Sequence, residues 1–462
     1  MAAAGSRSAQ AMARAPPDGR VWLVRAARPG SVRAAIAGRH LRRLLAHHAL
    51  VATAKSSVPV AVAQAVYQRT GSSAWASAVV SVGLLPYLVL SGFAGVLADR
   101  IDRARLLRAS ATSQAVLAAA LATCLAAGVA PALVMLVVAC AAIAGTPGYP
   151  AVVALLPATV HRRDLAPANV VVNTVEAGAW AAGPACAGVA LVVWSPPIAL
   201  AGSAVAFAVG SLVALGLPRA AVRAAAGGAS GRADAHDGAA ETVLQAFRAG
   251  VRTVTGSIGV AVPLVLVTVV NAIEGGATIG LLYVSDSFDS PGSTYGLLKV
   301  TLGVGGLLGL VFANRLTTMR RPVVGLTVTT LVGGVPFALL AIVGDQVIVM
   351  VLVGLGGLGC MVTEVVALTV MLRRLPDDLV ARAFGLTESL LVGSHLAGTM
   401  LVPVLVGTLG LRGSLTVVGA AFPLLAVLAV LTCARWSAGG DKLGGWHPIP
   451  SPGSTSPRRT VS

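Results

Sequence analysis

Residues 92–110 read GFAGVLADRIDRARLLRAS, a short charged stretch between two long apolar segments. The ten residues from Asp99 to Arg108 contain two Asp and four Arg, whereas the flanking sequence is almost entirely Ala, Val, Leu and Gly. A run of about 20 apolar residues is long enough to cross the ~30 Å hydrocarbon layer of a membrane as a helix. A charged stretch between two such runs therefore indicates a loop at the membrane surface.

The composition of the whole chain agrees with this interpretation. Of the 462 residues 56% are apolar and only 11% are charged, whereas a water-soluble domain carries about 25% charged residues. The apolar runs are continuous rather than alternating, which favours helices over a membrane β-barrel. We predict an all-α membrane protein with twelve spans, numbered 1 to 12, at roughly 44–67, 75–98, 105–128, 130–155, 168–193, 197–217, 256–283, 291–313, 322–343, 347–372, 382–408 and 413–435.

One connector is much longer than the others. Residues 218–255 are rich in Gly, Ala and Asp and contain few bulky apolar side chains, which is typical of a flexible linker. We expect this linker to join two six-helix halves, at 44–217 and 256–435. Residues 1–43 and 436–462 are then expected to be terminal tails.

The basic residues fall almost entirely on one side of the predicted membrane. If the spans alternate, 30 of the 34 Lys and Arg lie in the tails, the linker and the loops of one face, which we call the arginine face. The loops of the opposite, distal face hold only Arg69 and Arg412, and Lys55 and Lys299 lie inside spans. The positive-inside rule places the arginine face and both termini in the cytoplasm. The net charge of +17 is therefore interpreted as an orientation signal, and not as a nucleic-acid surface.

Two pairs of segments suggest that the spans are an internal duplication. GVLADRIDR (95–103) aligns with GLVFANRLT (309–317), and HRRDLAPAN (161–169) corresponds to RRLPDDLVARA (373–383), at sequence offsets of 215 and 214. Parallel repeats of this kind are one way of building a transporter whose substrate site lies between the halves near the membrane midplane.

The sequence also resembles a known family. GVLADRIDRAR (95–105) is similar to the cytoplasmic 2–3 loop signature of the major facilitator superfamily, except at Asp102, where many members carry Gly. Residues 145–169 resemble the fourth and fifth spans of a branch that exports drugs, macrolides or siderophores, and residues 177–188 loosely resemble an antiporter motif. The resemblance covers residues 44–435 and implies twelve helices in two pseudo-symmetric halves.

The family resemblance assigns a role to the quoted stretch. It implies that Asp99 and Arg100, with Arg103, form a cytoplasmic latch that holds the two halves together at the start of span 11. Glu388, about two turns into span 11, is a candidate gate residue. The alternative is that these arginines only fix the topology.

Ionisable residues inside the spans are the candidate functional groups. A charge at the bilayer centre costs about 2.5–3.5 kcal/mol, so its presence indicates function by default. In span 7, Asn271 and Glu274 belong to one polar stripe along a helical face. A buried carboxyl group can load a proton on one side of the membrane and release it on the other, because burial disfavours its charged form. Glu274 is the leading candidate for proton coupling or substrate binding. The other candidates are Glu364, Glu176, Lys55, His395 and Asn271.

A structural alternative stays open for these charges. Lys55 could form a permanent ion pair with Glu176 or Glu364 that never titrates. Lys299, in the outer part of span 8, is expected to extend its ammonium group outward to the membrane surface.

These observations predict a secondary transporter that exports amphipathic small molecules in exchange for protons. An uptake symporter for a small metabolite, and a membrane sensor or scaffold that transports nothing, are the alternatives. The sequence contains no HExxH, nucleophile elbow or Walker lysine, so we expect no enzymatic activity. The five Cys lie in apolar runs without metal-ligand spacing, and we expect neither a metal nor a cofactor. We expect a monomer in the inner (plasma) membrane whose partners are a small-molecule substrate, protons and lipid, but not nucleic acid.

Overall fold

The computed structural model describes residue 36 and residues 38–218, 258–316, 322–372 and 377–438. In these ranges all regular secondary structure is helical. Most of the predicted linker and the greater part of both predicted tails lie outside the described residues.

The helices are named here by the predicted spans in which they lie. Spans 1 to 6 correspond to Arg39–Thr70, Ser73–Arg100, Arg103–Ala126, the pair Pro131–Gly145 and Gly148–Leu155, Leu165–Val193, and Pro196–Ala214. Spans 7 to 10 correspond to Ile258–Ser285, Pro291–Leu316, Pro322–Leu339 and Gln346–Leu372, and spans 11 and 12 lie in one helical element, Asp377–Ala438. Within the described ranges, ten helices are long and apolar enough to cross a membrane. The chain is a multi-pass membrane protein, and the count of twelve spans stays a prediction.

Three details of the helices differ from or refine the predicted spans. Span 1 begins at Arg39, inside the predicted tail, and Arg43 donates a hydrogen bond to the backbone oxygen of Gly216 at 3.0 Å. Span 4 is broken next to Pro147, because proline lacks the N–H that continues a helix and its ring clashes with the carbonyl group four residues earlier. Gly410 has φ 70° and ψ 173° and interrupts the helix between spans 11 and 12.

Close backbone packing recurs in the two parts of the chain. Span 2 packs on span 4, and span 8 packs on span 10 in the same way. At Gly305 of span 8, a Cβ atom would lie 1.9 Å from the backbone oxygen of Gly354 in span 10, so only glycine permits this approach. The predicted repeat would produce this recurrence, although the two-halves layout stays a prediction.

The N-terminal segment (38–218) and the C-terminal segment (258–438) contact each other along spans 5 and 8 and near the distal face. One hydrophobic cluster near the distal face contains side chains from both segments, including Val66 and Tyr295. Toward the arginine face, the described buried side chains form one cluster of N-terminal residues and another of C-terminal residues. Among the described residues, the hydrophobic core is therefore shared near the distal face and separate toward the arginine face.

Hydrogen bonds between the two segments follow the same pattern. In the part of the chain that the structure describes, four of them cross between the segments, and all four lie toward the distal face. They join Gln64 to the Gly292 backbone (3.0 Å), Ser77 to the Thr399 backbone (3.0 Å), Tyr67 to Asp286 and Ser73 to Tyr283.

Candidate functional site

The N-terminal segment contributes a cluster centred on Glu176 of span 5. One carboxylate oxygen lies 2.9 Å from Nε2 of His48 in span 1. The other accepts a hydrogen bond from the indole N–H of Trp180, at 3.0 Å. These two contacts orient the carboxylate, and His48 is its nearest ionisable partner.

Lys55 lies about two turns beyond His48 on the same face of span 1. Its ammonium nitrogen is 4.0 Å from the centre of the Tyr87 ring and 5.9 Å from the Trp180 ring. Lys55 also interacts electrostatically with Glu176. The expected pairing of Lys55 with Glu176 is thus present as a neighbouring charge, whereas the direct contact to Glu176 comes from His48.

A pocket opens beside this cluster, among spans 1, 3, 4 and 5. Its polar lining includes His47, His48, Lys55, Gln114, Tyr149 and Glu176. The break in span 4 shapes this pocket. A Cβ at Gly145 would lie 2.6 Å from the Tyr87 hydroxyl and 2.8 Å from Oε1 of Gln114, so the missing side chain leaves room for both polar groups.

The C-terminal segment contributes a second cluster around Glu274 of span 7. Glu274 interacts electrostatically with Glu364 of span 10 and with Lys299 of span 8. His395 of span 11 is also within electrostatic range of Lys299. Four of the charged or titratable groups of this segment are therefore brought together.

The expectation that Lys299 extends to the membrane surface is wrong. The residue is 1% exposed, and its ammonium nitrogen lies 3.3 Å from the hydroxyl oxygen of Thr278. The ring of Tyr295, one turn earlier, is 5.6 Å away. A hydroxyl partner, an aromatic ring and the nearby carboxyl of Glu274 together replace water around this charge.

Asn271, the remaining candidate of span 7, makes a local hydrogen bond in the described part of the structure. The side-chain amide of Asn271 donates to the backbone oxygen of Val267, one turn earlier in the same helix, at 3.1 Å. Gly275 in the same span would place a Cβ 2.1 Å from the backbone oxygen of His395, which explains why a glycine stands there.

Glu388 connects the two clusters. Its side chain is exposed. It interacts electrostatically with Lys55 and Glu176 on the N-terminal side, and with Glu364 on the C-terminal side. A row of ionisable groups therefore crosses from span 1 of one segment to span 8 of the other.

The structure describes only part of the predicted latch. The side chains of Asp99 and Arg100 lie outside the described residues. Arg103 donates to the backbone oxygen of Ala154 in span 4 at 2.8 Å, a contact within the N-terminal segment. Asp102 accepts a hydrogen bond from the backbone N–H of Arg105 at 2.8 Å and caps the start of span 3.

Sequence reasoning missed several residues of the site, above all His48. His48 is not among the sequence-predicted candidates, although the residue lies inside the predicted span 1 (44–67). The seven-residue spacing from His48 to Lys55 was the available signal, because it places both on one helical face. The distal pair Tyr67 and Asp286 left no local signal, since the two residues are far apart in sequence.

Comparisons with known proteins agree with this architecture. The sequence model of the Major Facilitator Superfamily matches residues 44–391. No curated protein sequence matches the chain. The structure is similar to that of the nucleoside transporter NupG, at 13% identity and a TM-score of 0.63, over 85% of this chain and 98% of that one. It is also similar to the peptide transporter POT in complex with sulfate, at 16% identity and a TM-score of 0.63, over 86% and 95%.

Proposed function

The chain belongs to the major facilitator superfamily of membrane transporters, and we propose that it exports amphipathic small molecules in exchange for protons. The observation that carries the proposal is the row of ionisable side chains that runs from span 1 through Glu388 to span 8 and so links the two segments. A charge inside a membrane span is costly, and here several such charges lie within electrostatic range of one another.

The proposed mechanism is alternating access, in which the two segments rock about the substrate site. In this proposal the described state is closed at the distal face and gives access from the arginine face. Opening the distal face requires the hydrogen bonds of Tyr67 with Asp286 and of Ser73 with Tyr283 to break. The glycine contacts between spans 5 and 8 supply smooth surfaces that can slide.

Glu274 is proposed as the leading proton carrier. It lies within electrostatic range of a second carboxyl group, Glu364, and of the buried ammonium group of Lys299. Burial disfavours the charged form of a carboxyl group, and so does a neighbouring carboxylate, whereas a nearby cation favours it. A change in access from one side of the membrane to the other alters this balance, and can therefore load or release a proton.

The sidedness and setting are part of the same proposal. The arginine face, with both termini, lies in the cytoplasm of a cell whose inner (plasma) membrane holds the protein as a monomer. In this orientation, export moves the substrate from the arginine face to the distal face. The branch of drug, macrolide or siderophore exporters supplies the proposed substrate type.

Transport into inside-out membrane vesicles tests the proposal. With the vesicle interior made acidic, wild-type protein is expected to accumulate a lipophilic probe against its gradient, and Glu274→Gln is expected to abolish uphill accumulation. Asp345→Asn is a matched control, because it removes a carboxylate in a distal loop and preserves its role as a helix cap. Uphill accumulation at the normal rate by Glu274→Gln would contradict the role of Glu274.

A further inference from the structure

The pair formed by His48 and Glu176 is distinct in position from the Glu274 cluster. His48 lies nine residues into its helix, or about 14 Å along the axis from the arginine face, and Glu274 lies about 24 Å into its own. The two groups also belong to different segments of the chain. The His48–Glu176 pair and the Glu274 cluster are therefore not parts of a single proton-binding site.

The surroundings of His48 suit a group that changes charge. Only 4% of the residue is exposed, and Nε2 lies 2.9 Å from a Glu176 oxygen. The ring of Tyr149 lies 5.9 Å from the imidazole. A neutral imidazole can take up a proton and become a cation that donates from both ring nitrogens. A proton on His48 turns this contact into an ion pair.

The adjacent His47 has a different environment. Its Nδ1 lies 2.8 Å from the backbone oxygen of Gly210, and its side chain fixes the contact between spans 1 and 6. Two neighbouring, equally buried histidines thus make different contacts, one with backbone and one with a carboxylate.

The charges that face Glu176 decide which substrate can bind beside it. Around it are His48 and Lys55 of span 1, Tyr149 of span 4 and Glu388 of span 11. With His48 neutral, two carboxylates outweigh one ammonium and the cluster is net negative. With His48 protonated the cluster is net neutral. It attracts a cation in the first state only, and attracts an anion in neither.

Aromatic side chains complete a site for a cationic group. Trp180 is 43% exposed, and its indole N–H holds Glu176 in place. A cation near the face of an indole ring is stabilised by the ring's quadrupole. Tyr149 is fixed by a 3.0 Å hydrogen bond from its hydroxyl to Asn173 and lines the same pocket.

We propose that His48 is a second proton-binding group, and that its proton competes with the positive charge of an amphipathic organic cation for Glu176. This inference rests on the proposed exchange of substrate for protons and adds the substrate class. Loading a proton on His48 engages Glu176 and displaces the cation, and losing the proton restores the net negative charge. Proton and substrate thus exclude one another, as exchange requires.

Binding of tetraphenylphosphonium to the full-length protein in lipid nanodiscs tests the inference. Wild-type affinity is expected to be about tenfold weaker at acid than at alkaline pH, a difference of about 1.4 kcal/mol. His48→Gln is expected to bind with similar affinity at both pH values. His47→Gln removes the second histidine of the same pocket, and it is expected to retain the acid weakening whatever its effect on the affinity itself. Glu176→Gln is expected to bind weakly at both pH values.

Two results would overturn the inference. One is an equal acid weakening in wild type and His48→Gln, and the other is a wild-type affinity that does not change with pH. His48→Asn, made in parallel, provides the same comparison if the Gln variant does not fold. If this binding test fails, proton-driven transport of other substrates remains possible. Uphill transport by Glu274→Gln would instead contradict the role of Glu274 in proton coupling, and would not affect the binding test of His48.

Discussion

Replacing Tyr67 with Phe should shift the protein toward a state that is open at the distal face. The Tyr67 hydroxyl donates a hydrogen bond to the carboxylate of Asp286, and this bond joins the N-terminal to the C-terminal segment. It exists only while the distal face is closed. Phenylalanine keeps the ring and its packing against Tyr283, and removes only the hydrogen bond.

The size of the shift follows from the strength of the bond. A hydrogen bond to a charged group contributes about 1.5–3 kcal/mol. Asp286 is exposed to solvent, so the lower value applies. Since about 1.4 kcal/mol is a factor of ten in an equilibrium constant, we expect the ratio of distal-open to distal-closed protein to rise about tenfold.

Pulsed electron paramagnetic resonance can measure this ratio. Spin labels at Ala74 and Ser287, both exposed on the distal side of opposite segments, report the opening in a background from which the five native Cys are removed. Tyr295→Phe is the matched control, because the Tyr295 hydroxyl donates to the Thr278 backbone within the C-terminal segment. An unchanged distance distribution in Tyr67→Phe, or an equal shift in the control, would refute the reasoning.

Three further predictions concern packing and charge. Gly305→Ala places a Cβ 1.9 Å from a backbone oxygen of span 10 and should lower the free energy of unfolding by about 1–3 kcal/mol, measured by thermal unfolding. The control Gly393→Ala has no atom within 4 Å of the added Cβ and should leave stability unchanged. Equal melting temperatures for the two variants would contradict the close packing of span 8 on span 10. Lys299→Met and Glu274→Gln should each destabilise the folded protein, and a double-mutant cycle should give a coupling free energy between the two residues of about 0.5–3 kcal/mol. Additive effects of the two substitutions would show that the two charges do not interact. Gly145→Ala should displace the Tyr87 hydroxyl and the Gln114 side chain, which occupy the space next to Gly145. It should therefore lower the affinity for a cationic probe without a change in expression. An unchanged affinity would show that the break in span 4 does not shape the binding pocket.

Much of the fold could be predicted from the sequence because membrane helices leave a local signal. The apolar runs gave the helices to within a few residues, and the stretch 95–105 identified the family that the comparisons confirm. The break in span 4 was missed because its apolar run continues across Pro147 without a charge. A hydropathy pattern contains no information about where a backbone hydrogen bond of a helix is lost.

The candidate site could be predicted only in part. Glu176 and Glu274 stand out because any charge in an apolar run does. Their partners depend on which helix faces cluster in space, and for this reason His48 was overlooked and Lys299 was assigned to the surface. The buried Lys299 is accommodated by Thr278, which belongs to the polar stripe of span 7, and by Tyr295.

The proton movement that accompanies substrate flux tests the central claim most directly. Protein is reconstituted into proteoliposomes that contain a pH-sensitive dye, and a lipophilic substrate is allowed to flow down its gradient with no imposed pH difference. The account predicts that protons move opposite to the substrate in wild type, and that Glu274→Gln moves fewer protons for each substrate molecule that it carries. Protons that move in the same direction as the substrate, or a Glu274→Gln variant with undiminished proton flux, would contradict it.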